Sequence, residues 1–552
     1  MPIENLDLLP SSGLTITSSP ICLSGGIKMA LVELLQVQLT PAQAIGLSFL
    51  SVALYILSNV FYNLFLHPLR HFPGPLLNRV TRIPYSFAHI RGTRPFDMLA
   101  LHRRYGPVVR VAPNELAFAD PRAWKDIMGH RAAAGASTLP GDGSEHAAAG
   151  QGKHELQKEM GKWMKFYRPV DNIPIDITNS GREEHARLRR ALSHGFSDRC
   201  MREQQPLIKG YIDLLIRRLR EHGRDGTVPV DMVAWYNFTT FDVIGDLAFG
   251  ESFGCLENSR YHPWVKAIFD VARAGTIFQC LVQHFPPLMK LLFWMIPKRV
   301  FKEHAKHNAM AADKLKRRMQ IREQRPDLVN GLLKRRDEWG LTLEQLVANS
   351  GILVICGSET TATLLSGVTY LLCTNPDALR KLAAEIRGAF KSEDEINFSS
   401  VSTLPYLLAC LDEALRMYPP VPIGLPRVVP EGGAMVAGHY VPEDTVVAVH
   451  QWAMYHNEEH FKDPFKFQPE RWLGDPAFAD DHKDAFQPFH LGPRNCLGKN
   501  LAYIEMRLIL SRILWNFDLR ISNDSLNWMD NQRIFNLWEK GKLNVYLTPV
   551  SR

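Results

Sequence analysis

Near its C-terminal end the sequence reads FHLGPRNCLG, Phe489 to Gly498, with Cys496 between Gly492 and Gly498 and Arg494 two residues before it. A free thiol ionises near pH 8.5, so a cysteine that serves as an anionic ligand needs help from its surroundings. The amphipathic run that follows, GKNLAYIEMRLIL, predicts a helix. Cys496 then sits at a helix N-terminus, where free N–H groups and the dipole favour a thiolate. Gly492 and Gly498 remove side chains on either side, so something flat and bulky can approach the sulfur, and Arg494 could meet an anionic group on it. Taken alone, the pattern suits a buried structural cysteine beside a turn equally well.

A second stretch places polar groups where they are costly. Thr342-x-x-Gln345 has the form of a capping box, and no breaker follows before Thr374-Asn375-Pro376. The interval predicts about 45–50 Å of helix. Its centre, SGILVICGSETTATLLSGVTYLL, is apolar on every side except at Ser358, Glu359, Thr360 and Thr361. Such a helix runs through the middle of a domain, and a carboxylate inside it must be paired or used. Glu413, Arg416 and Arg471 carry a third set of charges that would pair in bidentate fashion if the fold brings them together.

FxxGxRxCxG (Phe489, Gly492, Arg494, Cys496, Gly498) resembles the haem-binding loop of the cytochrome P-450 family. Three more of that family's patterns precede it in order: CGSETT at Cys356–Thr361, EALR at Glu413–Arg416 and FQPERW at Phe467–Trp472. The resemblance covers roughly Pro73 to the C-terminus, and the surrounding wording is similar to fungal members of secondary metabolism, the trichothecene and polyketide tailoring hydroxylases. It implies that Cys496 is the axial thiolate of haem b, that the glycines admit the porphyrin and that Arg494 pairs with a propionate. Arg189, His185 (in place of the family's usual Trp) and Arg427 are the further propionate partners it implies. Glu359 and Thr360 are implied to relay protons, breaking the helix ladder locally to hold water. Cys356 stands where the motif usually has Ala and Glu359 where many members have Asp. Glu413, Arg416 and Arg471 become a structural triad that supports the haem loop.

The activity so implied is insertion of one oxygen atom from O2 into a lipophilic secondary metabolite such as a polyketide or terpenoid. Alternatives are isomerisation, dehydration or phenol coupling at the same haem, or a haem sensor or electron carrier that does not turn over. GxSxG, P-loop and GxGxxG patterns are absent, so NADPH electrons must arrive through a separate partner. The resemblance names that partner as NADPH-cytochrome P-450 reductase, docking on basic groups of the Cys496 face, with cytochrome b5 as an optional second donor.

The elements that must position these residues read as mainly α with minor β. The resemblance implies the cytochrome P-450 fold, a large helical body around haem with a small β-rich part, behind a single N-terminal transmembrane helix. REEHARLRRALSHGF, QQPLIKGYIDLLIRRLREH and DALRKLAAEIRGAF have helical spacing, whereas PVVRVAPNELAFA and DTVVAVHQWAM read as strands. The stretch from Leu34 to Leu69 has no Asp, Glu, Lys or Arg, and Ala44–Leu66 within it predicts a membrane anchor. Residues 1–43 then form a lumenal segment, 67–76 a proline-rich hinge and 77–552 the catalytic domain, with 132–152 a flexible Ala/Gly-rich insertion. Arg70, Arg79 and Arg82 after the anchor place the body in the cytoplasm, on the endoplasmic reticulum membrane. The sequons at Asn237 and Asn397 would be silent there.

Eight scattered cysteines without a CxxC pair suggest neither a zinc knuckle nor a disulfide framework. A net charge of +7 over 552 residues, without a long basic run, gives no support to nucleic-acid binding. His456-x-x-Glu459-His460 matches a zinc-peptidase pattern but follows a strand-like run and is soon followed by Pro464, a poor setting for the helix zinc would need. The substrate pocket is expected from 132–173, 353–361, 421–427 and 534–538.

Overall fold

Thr40 and Gln43 close a capping box that opens helix α1, Pro41–Phe61, and one π-helical turn extends it through Tyr62–Leu66. This is a computed structural model, and it describes residues 40–130, 159–169, 173–263, 273, 275–281, 298–321, 327–530 and 532–551. The expected lumenal segment up to residue 39 and the 132–152 insertion lie outside the described residues. Helix α1 with its extension is long and apolar enough to cross a membrane, and no residue of α1 is buried by protein.

The chain divides into two units between Tyr62 and Asn63. The division falls a turn earlier than the anchor's expected end because Asn63 already belongs to the second unit: its carbonyl accepts from Arg110 Nη1 at 2.9 Å and its amide donates to the Val80 carbonyl at 3.3 Å. The proline-rich segment is likewise docked. Leu69 and Phe72 are buried, and Arg110 N donates to the Pro73 carbonyl at 2.7 Å. The proline-rich connector is packed along part of its length.

Within the second unit come α2 (Ile83–Ile90), α3 (Arg94–Tyr105) and the strands β1 (Val108–Ala112) and β2 (Glu115–Phe118). The two-residue strand β3 (Gly161–Lys162) precedes α4 (Arg182–Ser193), α5 (Asp198–Gly223) and α6 (Met232–Phe249). Then follow α7 (Leu343–Thr374), α8 (Pro376–Ala389), α9 (Pro405–Met417), β4 (Arg427–Val428), β5 (Val446–Val449) and α10 (Lys499–Asn516). One sheet has the order β1–β2–β5–β4–β3, with β2 and β5 parallel and its other pairs antiparallel. Strands β1, β2 and β5 are buried along their whole length, β1 and β5 being rich in valine, as a sheet covered on both faces requires.

Helix α7 carries the expected capping box, Gln345 N donating to Thr342 Oγ1 at 3.2 Å and Thr342 N to Gln345 Oε1 at 3.0 Å. Its 32 residues span about 48 Å and run unbroken through Ser358–Thr361, so the local break expected there does not occur. The side-chain hydroxyls turn back on their own helix instead: Ser358 donates to the Val354 carbonyl at 2.5 Å and Ser366 to Ala362 at 2.7 Å. Each intrahelical bond satisfies a buried hydroxyl at little cost in geometry. Helix α7 packs against α6, whose Asn237 is buried and donates to the Val233 carbonyl. That sequon is closed to modification in the folded state.

Candidate functional site

The cysteine loop is built from a glycine turn and one backbone bond. Gly492 has φ +73°, and a Cβ there would meet the Met128 carbonyl oxygen, so only glycine fits. A Cβ at Gly498 would meet only the Phe196 ring, at an ordinary 3.7 Å. Cys496 N donates to the Phe489 carbonyl at 2.9 Å, which curls the loop, and the Phe489 ring lies tilted against Tyr503. Cys496 stands just ahead of α10, as expected.

Its thiol, however, is not lowered by the helix terminus. Burial pushes the Cys496 thiol up, and the Gly498 N–H, Arg189 and Lys499 offset this only in part. Burial thus disfavours the Cys496 thiolate, and a bound metal cation is what would favour it. Although protein surrounds it, its surface is exposed. The same is true of Cys356 on α7, whose thiol burial pushes up to about 12, with a smaller contribution from Cys496 itself. Two thiols that are exposed, enclosed and within each other's field face one internal space. Thr360, one turn beyond Cys356, is half-buried and donates to the Cys356 carbonyl at 2.6 Å.

Cations border this space. Arg494 is nearly buried and pairs with Glu159 at 2.9 Å. Arg427 is buried, its Nε reaching Met128 Sδ at 3.4 Å while Nη1 has no partner among the described residues. Lys162, from β3, donates to the Ile177 and Ser180 carbonyls at 2.9 and 3.1 Å. Burial lowers its ammonium to about 7, helped by the fields of Arg494 and Arg427. His185 is buried and lowered to about 3, first by burial and then by Lys162, Arg494, Arg189 and Arg427. It is a neutral imidazole. His490, at φ +58° against the Trp124 ring, is also held neutral at about 3 by burial and Arg427, and its Nε2 has no partner among the described residues.

Arg189 departs from the sequence expectation. It projects from α4 on the same side as His185, but its guanidinium bonds Asn495, Nη1 to the carbonyl at 2.7 Å and Nη2 to Oδ1 at 2.5 Å. It braces the residue immediately before Cys496. Burial lowers Arg189 and the neighbouring Cys496 raises it.

Glu413, Arg416 and Arg471 are brought together and are fully buried. Arg416 makes the bidentate pair, 2.9 and 2.8 Å, and also donates to the Tyr455 and Pro464 carbonyls. Arg471 Nε lies 3.0 Å from Glu413, and its Nη1 pairs with Asp481. Trp472 Nε1 and Gln468 N also donate to Glu413, both at 3.0 Å. Burial alone would push the Glu413 carboxyl up, but Arg416 and Arg471 outweigh it and hold the group below the usual carboxylate range. Every charge here has a partner.

Glu359 is buried on α7 and pairs with Lys540, a residue in none of the sequence motifs. Lys162, Glu159, Asn495, His490, Asp481 and Lys540 all escape sequence reasoning, because each reaches the site from a strand of two residues, a loop or a distant segment without periodicity. Of the expected pocket stretches, 159–169, 353–361 and 421–427 supply Lys162, Cys356, Thr360 and Arg427. Trp538, by contrast, is packed away: it stacks on Tyr418 at 4.2 Å and donates to the Pro419 carbonyl at 2.8 Å. His456 and His460 each bond a backbone carbonyl, of Trp452 at 3.0 Å and of Ala119 at 2.5 Å, and no helix includes them.

The set fits a haem. One sulfur opens on an enclosed space, and on one side of that space stand a buried guanidinium and an imidazole with unused donors, which two carboxylates would satisfy. A family model described as cytochrome P-450 matches residues 144–545. The chain is 44% identical over 504 residues to cytochrome P-450 monooxygenase prhB of Penicillium brasilianum, covering 91% of this chain and 98% of that one. It is 44% identical to trichothecene C-15 hydroxylase of Fusarium sporotrichioides over 498 residues, 90% and 96% of the two chains. To averantin hydroxylase of Dothistroma septosporum it is 42% identical over 507 residues, 90% of each.

Proposed function

The chain belongs to the cytochrome P-450 family, and from that premise we propose that it hydroxylates a lipophilic secondary metabolite, with Cys496 as the residue whose sulfur would hold the haem iron. The observation that carries this reading is the enclosed space shared by Cys496, Cys356 and Thr360, bordered by Arg427 and His490, whose Nη1 and Nε2 have no partner among the described residues. The haem, when bound, supplies O2 reduction and oxygen-atom transfer with NADPH electrons from a reductase. What the chain supplies is geometry and protons.

Arg427, Arg494 and Lys162 would hold the propionates, with His185 and His490 as neutral donors. Arg189 fixes the Cys496 loop through Asn495, and Phe489 and Gly492 shape it. Glu413, Arg416 and Arg471 keep the platform beneath it rigid. On the opposite side, Thr360 Oγ1 and the Glu359 carboxylate pass protons towards the reacting oxygen. Cys356, neutral and open to the same space, narrows the substrate's approach.

Exposed Arg182, Arg187, Arg190 and Lys499, on elements bracketing the Cys496 loop, form a docking face for NADPH-cytochrome P-450 reductase, and cytochrome b5 would use the same face. Helix α1 anchors the enzyme in the endoplasmic reticulum membrane with Arg70, Arg79 and Arg82 on the cytoplasmic side. The two relatives named as hydroxylases support hydroxylation over redox-neutral chemistry. The test is Thr360→Ala in the enzyme reconstituted with reductase. It keeps its haem and consumes NADPH, but a larger share of that NADPH appears as hydrogen peroxide. An unchanged share removes Thr360 from proton delivery.

A further inference from the structure

We propose that Lys540 is a positioning residue that holds Glu359 as a carboxylate with one oxygen engaged and the other free for proton exchange. The proposal rests on the reading of Glu359 as a proton carrier. Its own evidence is a three-group arrangement that neither residue's sequence context announces.

Lys540 follows the hairpin Arg533–Phe535 and Leu537–Glu539 and reaches α7 from there. Its side chain is 3% exposed and that of Glu359 2%. The ammonium pairs with Glu359 Oε1 and also donates to Thr363 Oγ1 at 2.6 Å. Thr363 Oγ1 in turn donates to the same Oε1 at 3.2 Å. Ammonium and hydroxyl thus converge on one carboxylate oxygen. The other, Oε2, has no partner among the described residues.

A lone carboxylate at this depth would take up a proton rather than stay charged. The Lys540 ammonium gives the buried Glu359 carboxylate an opposite charge, and Thr363 adds the hydrogen bond such a pair needs to offset its desolvation. Because both bonds fall on Oε1, the carboxylate plane is fixed and Oε2 is the only oxygen left to accept a proton or a water. Successive residues on a helix point about 100° apart, so Glu359 faces the hairpin while Thr360, next in the chain, borders the internal space. Lys540 therefore acts on the reaction only through Glu359. Tyr261 and Tyr418 also lie in the field of Glu359, both pushed up by burial and neutral. Lys540 is the one cation paired with Glu359 among the described residues.

The experiment compares Lys540→Met, Lys540→Arg, Glu359→Gln and the double variant Glu359→Gln/Lys540→Met in the full-length haem-loaded enzyme. One readout is the infrared carboxylate band assigned to Glu359 by subtracting the Glu359→Gln spectrum. The other is the peroxide released per NADPH consumed with reductase and no added substrate. Lys540→Met replaces the carboxylate band with that of a neutral carboxylic acid at neutral pH and raises the peroxide share severalfold. Lys540→Arg keeps both near wild type. The double variant releases the same share as Glu359→Gln alone, a comparison that stands even if Lys540→Met fails to fold. An unchanged band and peroxide share in Lys540→Met, or a double variant worse than Glu359→Gln, overturns the role of Lys540 and leaves that of Glu359 intact. If Glu359→Gln itself releases peroxide like wild type, the proton role of Glu359 falls, and the proposal with it.

Discussion

Two clusters of buried charge flank the cysteine loop, and they are built on opposite principles. Around Glu413, each guanidinium meets a carboxylate or a carbonyl, and Trp472 and Gln468 use the remaining acceptor capacity. Arg427, Arg494 and Lys162 stand with Glu159 as the one acid in an ion pair with them among the described residues, and donors are left over. The first cluster is complete as a protein; the second is complete only with an anionic ligand. The comparison separates charges that fold the chain from charges that bind its cofactor, a distinction that residue type alone does not make.

The largest effect should come from breaking the matched cluster. Glu413→Ala leaves the buried Arg416 guanidinium without a carboxylate and Arg471 with Asp481 alone, a loss of about 3–5 kcal/mol. The expected outcome is haem-free or insoluble protein, read as soluble yield and apoprotein Tm. A holoenzyme of normal stability would erase the distinction.

Breaking the unmatched cluster should act with opposite sign on the two forms. Arg427→Met removes a buried donor without a partner and raises the apoprotein Tm, since such a group costs about 1–3 kcal/mol. The same change weakens haem retention by roughly 10- to 100-fold, the worth of a hydrogen bond to a charged group. Transfer of haem to apomyoglobin measures it. A fall in both quantities would make Arg427 a folding residue.

A pH effect sharpens the same contrast. Lys162 is lowered to about 7 from an ordinary value of 10.5, so between these values the unfolded chain binds the extra proton. Apoprotein stability therefore gains from Lys162 as pH rises above about 7, a gain that is lost as pH falls through it. Lys162→Met flattens this slope, and so does haem, whose propionates restore the charged ammonium. Denaturant melts of both forms across this range check it.

The smallest expected effect concerns Glu505 on α10, which burial pushes up to about 8 and Thr361 partly offsets. Here the folded state binds the extra proton, so its contribution is full in acid and declines as pH rises through 8. Glu505→Gln is nearly silent in acid, below the ordinary carboxyl value of 4.5, and stabilising from neutral pH upward, in melts of the holoenzyme.

Much of this was legible in the sequence because it is local. The Thr342 capping box, the apolar length of α7, the strand pair β1–β2 and the Cys496 loop each lie within one short window of period, cap or turn chemistry. The Glu413 cluster was legible as three residues, but Asp481, Trp472 and Gln468, which complete it, were not. The unmatched cluster was half visible. Lys162 comes from a strand too short to carry a pattern, and Arg189, expected at a propionate, is turned aside by Asn495, whose loop geometry no spacing encodes. The thiol of Cys496 was read from the helix terminus as favouring the anion, yet burial outweighs that terminus. Lys540 stands 181 residues from Glu359, beyond any local signal.

The central claim is that Cys496 ligates haem iron in a site whose spare cations await the propionates. The reduced carbon monoxide difference spectrum of membranes bearing the chain, recorded beside Cys496→Ser, tests it most directly. A strongly red-shifted Soret band that vanishes in the variant is the predicted result. No such band in well-folded protein, or one that survives the loss of the sulfur, would contradict it.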